Sequence, residues 1–238
     1  MRTTGKIVAA VLSGLCLLGT AACTGDKGSP QPTQQAQLTP AQRLAAAKSA
    51  LDAATSVHLT LASANVPERA SGLISGSGWG THPPAFKGTF KVAVAGVQAD
   101  AEITSVGGEV WAKLPLVPGT NKINPKDFGM PDPATLFSPE TGLTTLLTAT
   151  TSPAAGQQTR KGAEVLTTVT GSLPGSAVVG LLGIGDRSAT YRATYLLTDA
   201  NQLRQVALEG PFFGSGTTST YTLVLDRYNE AVSITRPS

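Results

Sequence analysis

Between Phe86 and Leu114 the sequence leaves a folding chain little freedom. Phe86, Gly88, Phe90, Val92 and Val94 alternate with Lys87, Thr89, Lys91 and Ala93, the period of two that marks a strand with one buried face. A two-residue turn at Ala95-Gly96 sets Val94 opposite Val97, Val92 opposite Ala99 and Phe90 opposite Ala101. The same register puts Lys91 against Asp100 on the polar side. A second turn at Gly107-Gly108 suits the positive φ of a primed hairpin. It sets Ser105 opposite Val110, Ile103 opposite Ala112 and Glu102 opposite Lys113. Both turns keep the apolar residues on one side, and a slip of one residue would turn the whole set to water. The segment is therefore predicted as a three-stranded antiparallel meander.

Its apolar face is built partly from small residues: Gly88, Ala99, Ala101 and Ala112. Native interiors tolerate few voids, so something must fill the volume these residues leave. A helix packed close against the sheet would do so, and so would a cavity holding an apolar ligand. The pattern alone leaves both open.

The amino terminus reads as a targeting segment. Arg2 and Lys6 precede an apolar run, Ile7 to Leu18, too short to span a bilayer as a mature helix. Thr20-Ala21-Ala22-Cys23 then resembles a bacterial lipobox, with Thr20 where Leu or Val is usual. Loss of the leader removes Cys16 and leaves Cys23 as the one cysteine of the mature chain, so no internal disulfide is expected. A diacylglyceryl group on Cys23 supplies two chains, enough for stable anchoring where one is marginal. The competing reading is an ordinary secretory signal followed by a coincidental cysteine. The expected organisation is a leader over 1–22, a lipidated Cys23 and Gly/Ser/Pro/Gln tether over 23–38, and one domain over 39–238.

Within that domain Thr39 caps a helix that starts at Pro40 and runs to about Thr55. Leu44, Ala47, Leu51 and Ala54 form its apolar stripe, and Arg43, Lys48 and Asp52 face away. Strands are expected at Val57–Leu61 and, Gly-rich and bent, at Leu73–Gly80. Pro115–Pro133 reads as a long loop. Ser138 is expected to cap a second helix, with Pro139 at its start and Leu143, Leu146 and Leu147 on its apolar side. A strand at Glu164–Gly171 and a short helix at Ser176–Leu182 follow. That helix is apolar nearly all round, through Val178, Leu181 and Leu182 among others, so it is buried or faces an apolar ligand. A carboxy-terminal meander takes in Ala189–Thr198, Leu203–Glu209, Thr218–Arg227 and Ala231–Thr235. Two meanders with helices between them and no βαβ alternation predict an α+β fold with an antiparallel sheet.

Residues arranged for chemistry are scarce in the sequence. Apart from the leader, 16 basic residues face 15 acidic ones without clustering, which excludes a nucleic-acid footprint. Two histidines and one mature cysteine make no zinc-site spacing, and no Gly-x-Ser-x-Gly elbow occurs. Gly183-Ile184-Gly185 follows a helix and lacks the third glycine of a dinucleotide loop. Asp127, Asp132 and Glu140 stand where capping explains acidic residues. No catalytic residue, metal or cofactor is expected. Trp79 and Trp111 could mark a membrane or partner contact if exposed together.

These residues resemble the mycobacterial LppX/LprG lipoproteins, the LprG/LprA branch most of all. The likeness lies in the lipobox, tether and helix ending in Ser56-Val57-His58-Leu59, and in Gly88-Thr89-Phe90-Lys91-Val92. It is most specific in Asp127-Phe128-Gly129, Asp132-Pro133-Ala134 and Ser138-Pro139-Glu140-Thr141-Gly142-Leu143, and continues at Asn201-Gln202-Leu203. The resemblance implies a half-barrel: a strongly curved antiparallel sheet with helices on its concave side, enclosing an apolar cavity. It implies a carrier without catalysis, monomeric and held in the cell envelope on the outer face of the plasma membrane through Cys23, in part secreted. Its cargo would be triacylated glycolipids such as phosphatidylinositol mannosides, or other long-chain envelope lipids, moved across the periplasm toward the outer membrane. A membrane lipid exporter is the implied partner. The expected cavity lining is Phe90, Val92, Val94, Ala99, Ala101, Ile103, Val110 and Ala112 from the sheet, with Leu143, Leu146, Leu147, Val178, Leu181 and Leu182 from the helices. Two rival readings remain: a protein-binding envelope module that uses the Pro115–Pro133 loop, and a hydrolase built on Asp127 or Asp132.

Overall fold

Eleven antiparallel strands form one open sheet in the computed structural model, which describes residues 38–94, 97–115, 117–128, 130–214 and 216–237. In chain order the elements are α1 (Pro40–Asp52), β1 (Ser56–Ala64), β2 (Gly72–Thr81), β3 (Ala85–Val94), β4 (Val97–Val106), β5 (Glu109–Lys113) and β6 (Asn121–Ile123). Then come α2 (Thr144–Ala149), β7 (Thr151–Lys161), β8 (Glu164–Pro174), α3 (Gly175–Leu182), β9 (Thr190–Thr198), β10 (Leu203–Gly210) and β11 (Ser219–Asp226). Across the sheet the order is β6-β5-β4-β3-β2-β1-β11-β10-β9-β8-β7. Two meanders are thus joined where β1 pairs with β11, with Leu59 opposite Leu225 and Leu61 opposite Leu223.

The central meander has the register its turns dictate: Val92 lies opposite Ala99, Phe90 opposite Ala101, Ile103 opposite Ala112 and Ser105 opposite Val110. Gly107 and Gly108 adopt φ of +62° and +75°. The Ala95-Gly96 turn lies outside the described residues. On the polar face Lys113 Nζ donates to Glu102 Oε1 at 3.2 Å and Lys91 lies 3.7 Å from Asp100.

Strand β2 explains how the small residues are covered. Gly76, Gly78 and Gly80 pair with Leu61, Leu59 and Val57, all core residues, so a row of glycines faces inward. Phenylalanine rings occupy the space that side chains would take: Phe90 at Gly76, Phe86 at Gly78 and Gly88, and Phe137 at Gly80. Phe86 stacks on Phe90 at 5.0 Å and on Phe137 at 6.3 Å. Phe137 comes from a 3-10 helix, Pro133–Phe137, capped by Asp132 Oδ1, which accepts from the Ala134 amide at 2.9 Å and from the Ser105 hydroxyl. Over this part of the sheet, then, close packing fills the volume.

Helix α1 starts as its sequence dictates. Thr39 and Gln42 exchange hydrogen bonds in a capping box, and Leu44, Ala47 and Leu51 are buried. Its polar residues do not simply face away. Arg43 donates to Thr167 Oγ1 and to the Thr198 carbonyl, each at 3.0 Å. Lys48 reaches Asp52 at 2.8 Å, the Pro139 carbonyl at 2.9 Å and Thr144 at 3.1 Å. The long stems let charged heads tie the helix to β8, β9 and the segment leading into α2 while their methylenes pack.

Four departures from the sequence reading have local causes. The Pro115–Pro133 passage contains β6 and a 3-10 helix, Pro125–Phe128, because Ile123 continues the apolar face opposite Val110. The second helix begins at Thr144, not Ser138. Ser138 instead closes a turn, its hydroxyl accepting from the Thr141 amide at 3.2 Å and its carbonyl accepting from Gly142 N at 2.7 Å. Strand β7 was not expected: it is an almost wholly exposed edge strand with two register irregularities, so it shows no buried-face alternation. Ala231–Thr235 forms no strand. The tail after β11 is held by its backbone and its side chains, with Asn229 N donating to the Ser56 carbonyl at 2.9 Å, Ser56 Oγ to the Glu230 carbonyl at 2.6 Å and Tyr228 Oη to the Leu203 carbonyl at 2.6 Å.

Candidate functional site

A cavity of about 550 Å³ lies over β1 to β5 and β11. Its floor is the inward row of these strands: Leu59 and Leu61 from β1, Leu73 from β2, Phe90 and Val92 from β3, Ile103 from β4, Val110 from β5 and Leu223 from β11. A second wall is the segment 123–136, contributing Ile123, Pro125, Phe128, Met130, Pro131, Pro133 and Leu136. Turn hydrogen bonds hold that segment, Asp127 N to the Asn124 carbonyl and Met130 N to the Pro125 carbonyl, each at 3.1 Å. The third wall is the end of α3. Gly183 takes φ +74° there and donates its amide to the Val179 carbonyl at 2.9 Å, a left-handed cap that favours glycine. The turn brings Ile184 onto the cavity beside Leu181 and Leu182.

Among the described residues only Ser71 and Asp127 bring polar side chains to this lining. Asp127 is exposed and accepts from Asn124 Nδ2 at 3.1 Å, so its charge stays in water. Phe128, 56% exposed, stands beside it at the rim. The cavity's other described lining residues are apolar or glycine, so a buried charge would be costly there, whereas apolar groups gain by leaving water.

Of the sequence-predicted lining, Phe90, Val92, Ile103, Val110, Leu181 and Leu182 meet at this cavity. Ala101, Ala112, Leu143, Leu146, Leu147 and Val178 belong to the same core cluster as Phe90, Ile103, Val110 and Leu181 but do not line the cavity. Leu146 and Leu147 are buried on α2, which packs on α1, and the Leu146 carbonyl accepts from Tyr195 Oη. Ala99 lies on a separate depression near the outer end of the meander, with Val97, Leu114 and Val117. Cys23 and the Val94 side chain lie outside the described residues. Sequence reasoning missed Leu59, Leu61 and Leu223. Their alternation was visible, but the β1–β11 register that brings them together joins residues far apart in the chain. It also missed Phe128 and Met130, since loop residues carry no periodicity to place them.

One polar constellation was also missed. On the outward face His58 Nδ1 lies 2.8 Å from Asp226 Oδ1, and Nε2 lies 3.0 Å from Ser77 Oγ. The spacing is that of a proton relay, yet Ser77 sits in mid-strand, paired with both Thr60 and Thr89. Flanking amides committed to strand ladders leave no convergent donor pair for an oxyanion. Trp79 and Trp111 do not form an exposed pair: Arg227 covers the first ring at 5.7 Å and Arg236 the second at 5.9 Å. Among the described residues no cluster of metal-ligating side chains occurs, and no helix is long and apolar enough to cross a membrane.

Residues 39–234 match the family model described as LppX_LprAFG lipoprotein. The chain belongs to that family. Among solved structures, this LppX_LprAFG protein is similar to LprF from Mycobacterium bovis, with 14% identity and a TM-score of 0.68 over 84% of this chain and 97% of that one. It is also similar to lipoprotein LppX from Mycobacterium tuberculosis, with 18% identity and a TM-score of 0.60 over 82% of this chain and 98% of that one. At such identities the likeness is one of fold. No curated protein matches the sequence.

Proposed function

We propose that this lipoprotein is a carrier without catalytic activity that holds acyl chains of envelope lipids in its cavity, the sheet and helices acting together as a half-barrel. The observation that carries the reading is a cavity of about 550 Å³ whose polar side chains, among the described residues, are confined to Ser71 and Asp127, in a member of a lipoprotein family. Taking a methylene as similar in volume to a liquid water, about 30 Å³, the cavity holds on the order of twenty such groups. At roughly 0.8 kcal/mol per buried methylene, that is ample for tight binding after ordering costs are subtracted. The same volume takes one long chain, or two short ones. A triacylated glycolipid such as a phosphatidylinositol mannoside therefore leaves acyl chain outside this cavity or widens it. Anchoring through Cys23 would keep the carrier at the envelope, where such lipids move.

Val92, half-buried on the cavity floor, gives the test. Val92→Trp should fill the cavity and cut uptake of a fluorescent long-chain lipid by about tenfold or more, a loss of at least ~1.4 kcal/mol, with an unchanged circular dichroism spectrum. Uptake at the wild-type level by a folded variant would contradict the assignment.

A further inference from the structure

We propose that the outer end of β3–β5, together with the rim residue Phe128, is a docking face for a lipid bilayer. This rests on the carrier reading and names the surface through which cargo would enter.

Four large apolar side chains are strongly exposed among the described residues, and three of them belong to this region: Val97 at 73%, Phe128 at 56% and Val117 at 45%. Phe128 stands on the cavity, and Val97 and Val117 line the neighbouring depression of about 510 Å³. The two hollows share a ladder, since Val92 of the cavity pairs with Ala99 of the depression. The inward row of β4 shows the continuity. It runs from Ile103 at 8% exposed and Ala101 at 4%, through half-buried Ala99, to Val97 in the open. Among the described residues, the face that lines the cavity thus emerges into solvent at this end.

Charge selects the partner. Lys91 and Asp100, the charged residues of the depression, pair with each other at 3.7 Å, and Lys113 pairs with Glu102. Lys126 and Asp127 stand side by side before Phe128. The tip is apolar with balanced charge around it, which offers no field to steer a charged protein partner and fits a laterally uniform apolar phase. Three side chains bind a bilayer weakly by themselves. A tether that holds the domain at a membrane raises the effective concentration and makes such weak contacts count. An acyl chain could then pass from bilayer to cavity along one apolar face without crossing water.

The test loads the full chain in two formats with a pyrene-labelled triacylglycerol, presented in phosphatidylcholine vesicles or in octyl glucoside micelles. Val97→Asp/Val117→Asp, outside the cavity, should slow uptake from vesicles about tenfold while equilibrium uptake from micelles stays at the wild-type level. The milder Val97→Ser/Val117→Ser should fall between, which guards against a folding defect in the first variant. Wild-type vesicle uptake by both variants overturns the docking face, and so does an equal loss in both formats. Failure of the wild type to take up lipid in either format overturns the carrier reading itself, and the docking face with it.

Discussion

Tyr195 shows how much of this fold rests on a few enclosed polar atoms. The residue is fully buried beneath α2, its hydroxyl 2.7 Å from Thr150 Oγ1 and 3.4 Å from the Leu146 carbonyl. Burial pushes its phenol up to about 12, with the Thr150 hydrogen bond opposing the shift. Because the folded value lies above the unfolded one, the stabilisation is complete below the ordinary phenol value of about 10 and is lost as pH rises toward about 12. Tyr221 and Tyr228 are pushed up by burial as well, so alkaline unfolding should be steep. Tyr195→Phe should lower the Tm at pH 7 by the loss of a buried hydrogen bond, about 1 kcal/mol. It should also make the decline in Tm above pH 10 shallower than in the parent protein. Parallel declines in Tm-versus-pH curves for the two proteins would contradict this account of Tyr195.

At the scale of elements, β2 carries the instruction most easily misread. Its glycines look like weakness in a strand, yet they are the seats on which Phe86, Phe90 and Phe137 lie. Gly80→Ala would place a Cβ within the Phe137 ring and should destabilise the domain by about 1–3 kcal/mol, read by urea denaturation; a neutral result would show that Phe137 is free to move. The central meander was legible because its turns and its register are local, with Val94 and Val97 or Val106 and Glu109 only a few residues apart. Strand β7 was not, since with no buried face it has no pattern. The start of α2 was misplaced because Ser138-Pro139-Glu140 carries a helix-start signature that the chain uses for a turn closed by Gly142. Six of the fourteen residues expected to line the cavity lie at it, and the split has a similar cause. Alternation tells which residues face inward, but whether an inward residue meets packing or empty space depends on what crosses above it. Ala101 and Ala112 are covered and do not reach the hollow, whereas Val92 and Ile103 border it.

At the scale of the whole molecule, an open eleven-stranded sheet made of two meanders has more inward surface than the three α-helices of the described residues can cover. The remainder is closed by the proline-rich segment 123–136 and the glycine-capped end of α3, which leave the cavity between them. The central claim is that this hollow is occupied by acyl chains in the cell. The most direct measurement is native mass spectrometry of the domain from Leu38 onward, purified from a mycobacterial host without its anchor. The account predicts bound species that dissociate as acylated lipids, absent from Val92→Trp prepared in the same way. A bare protein mass that stays unchanged after incubation with an envelope lipid extract would contradict it.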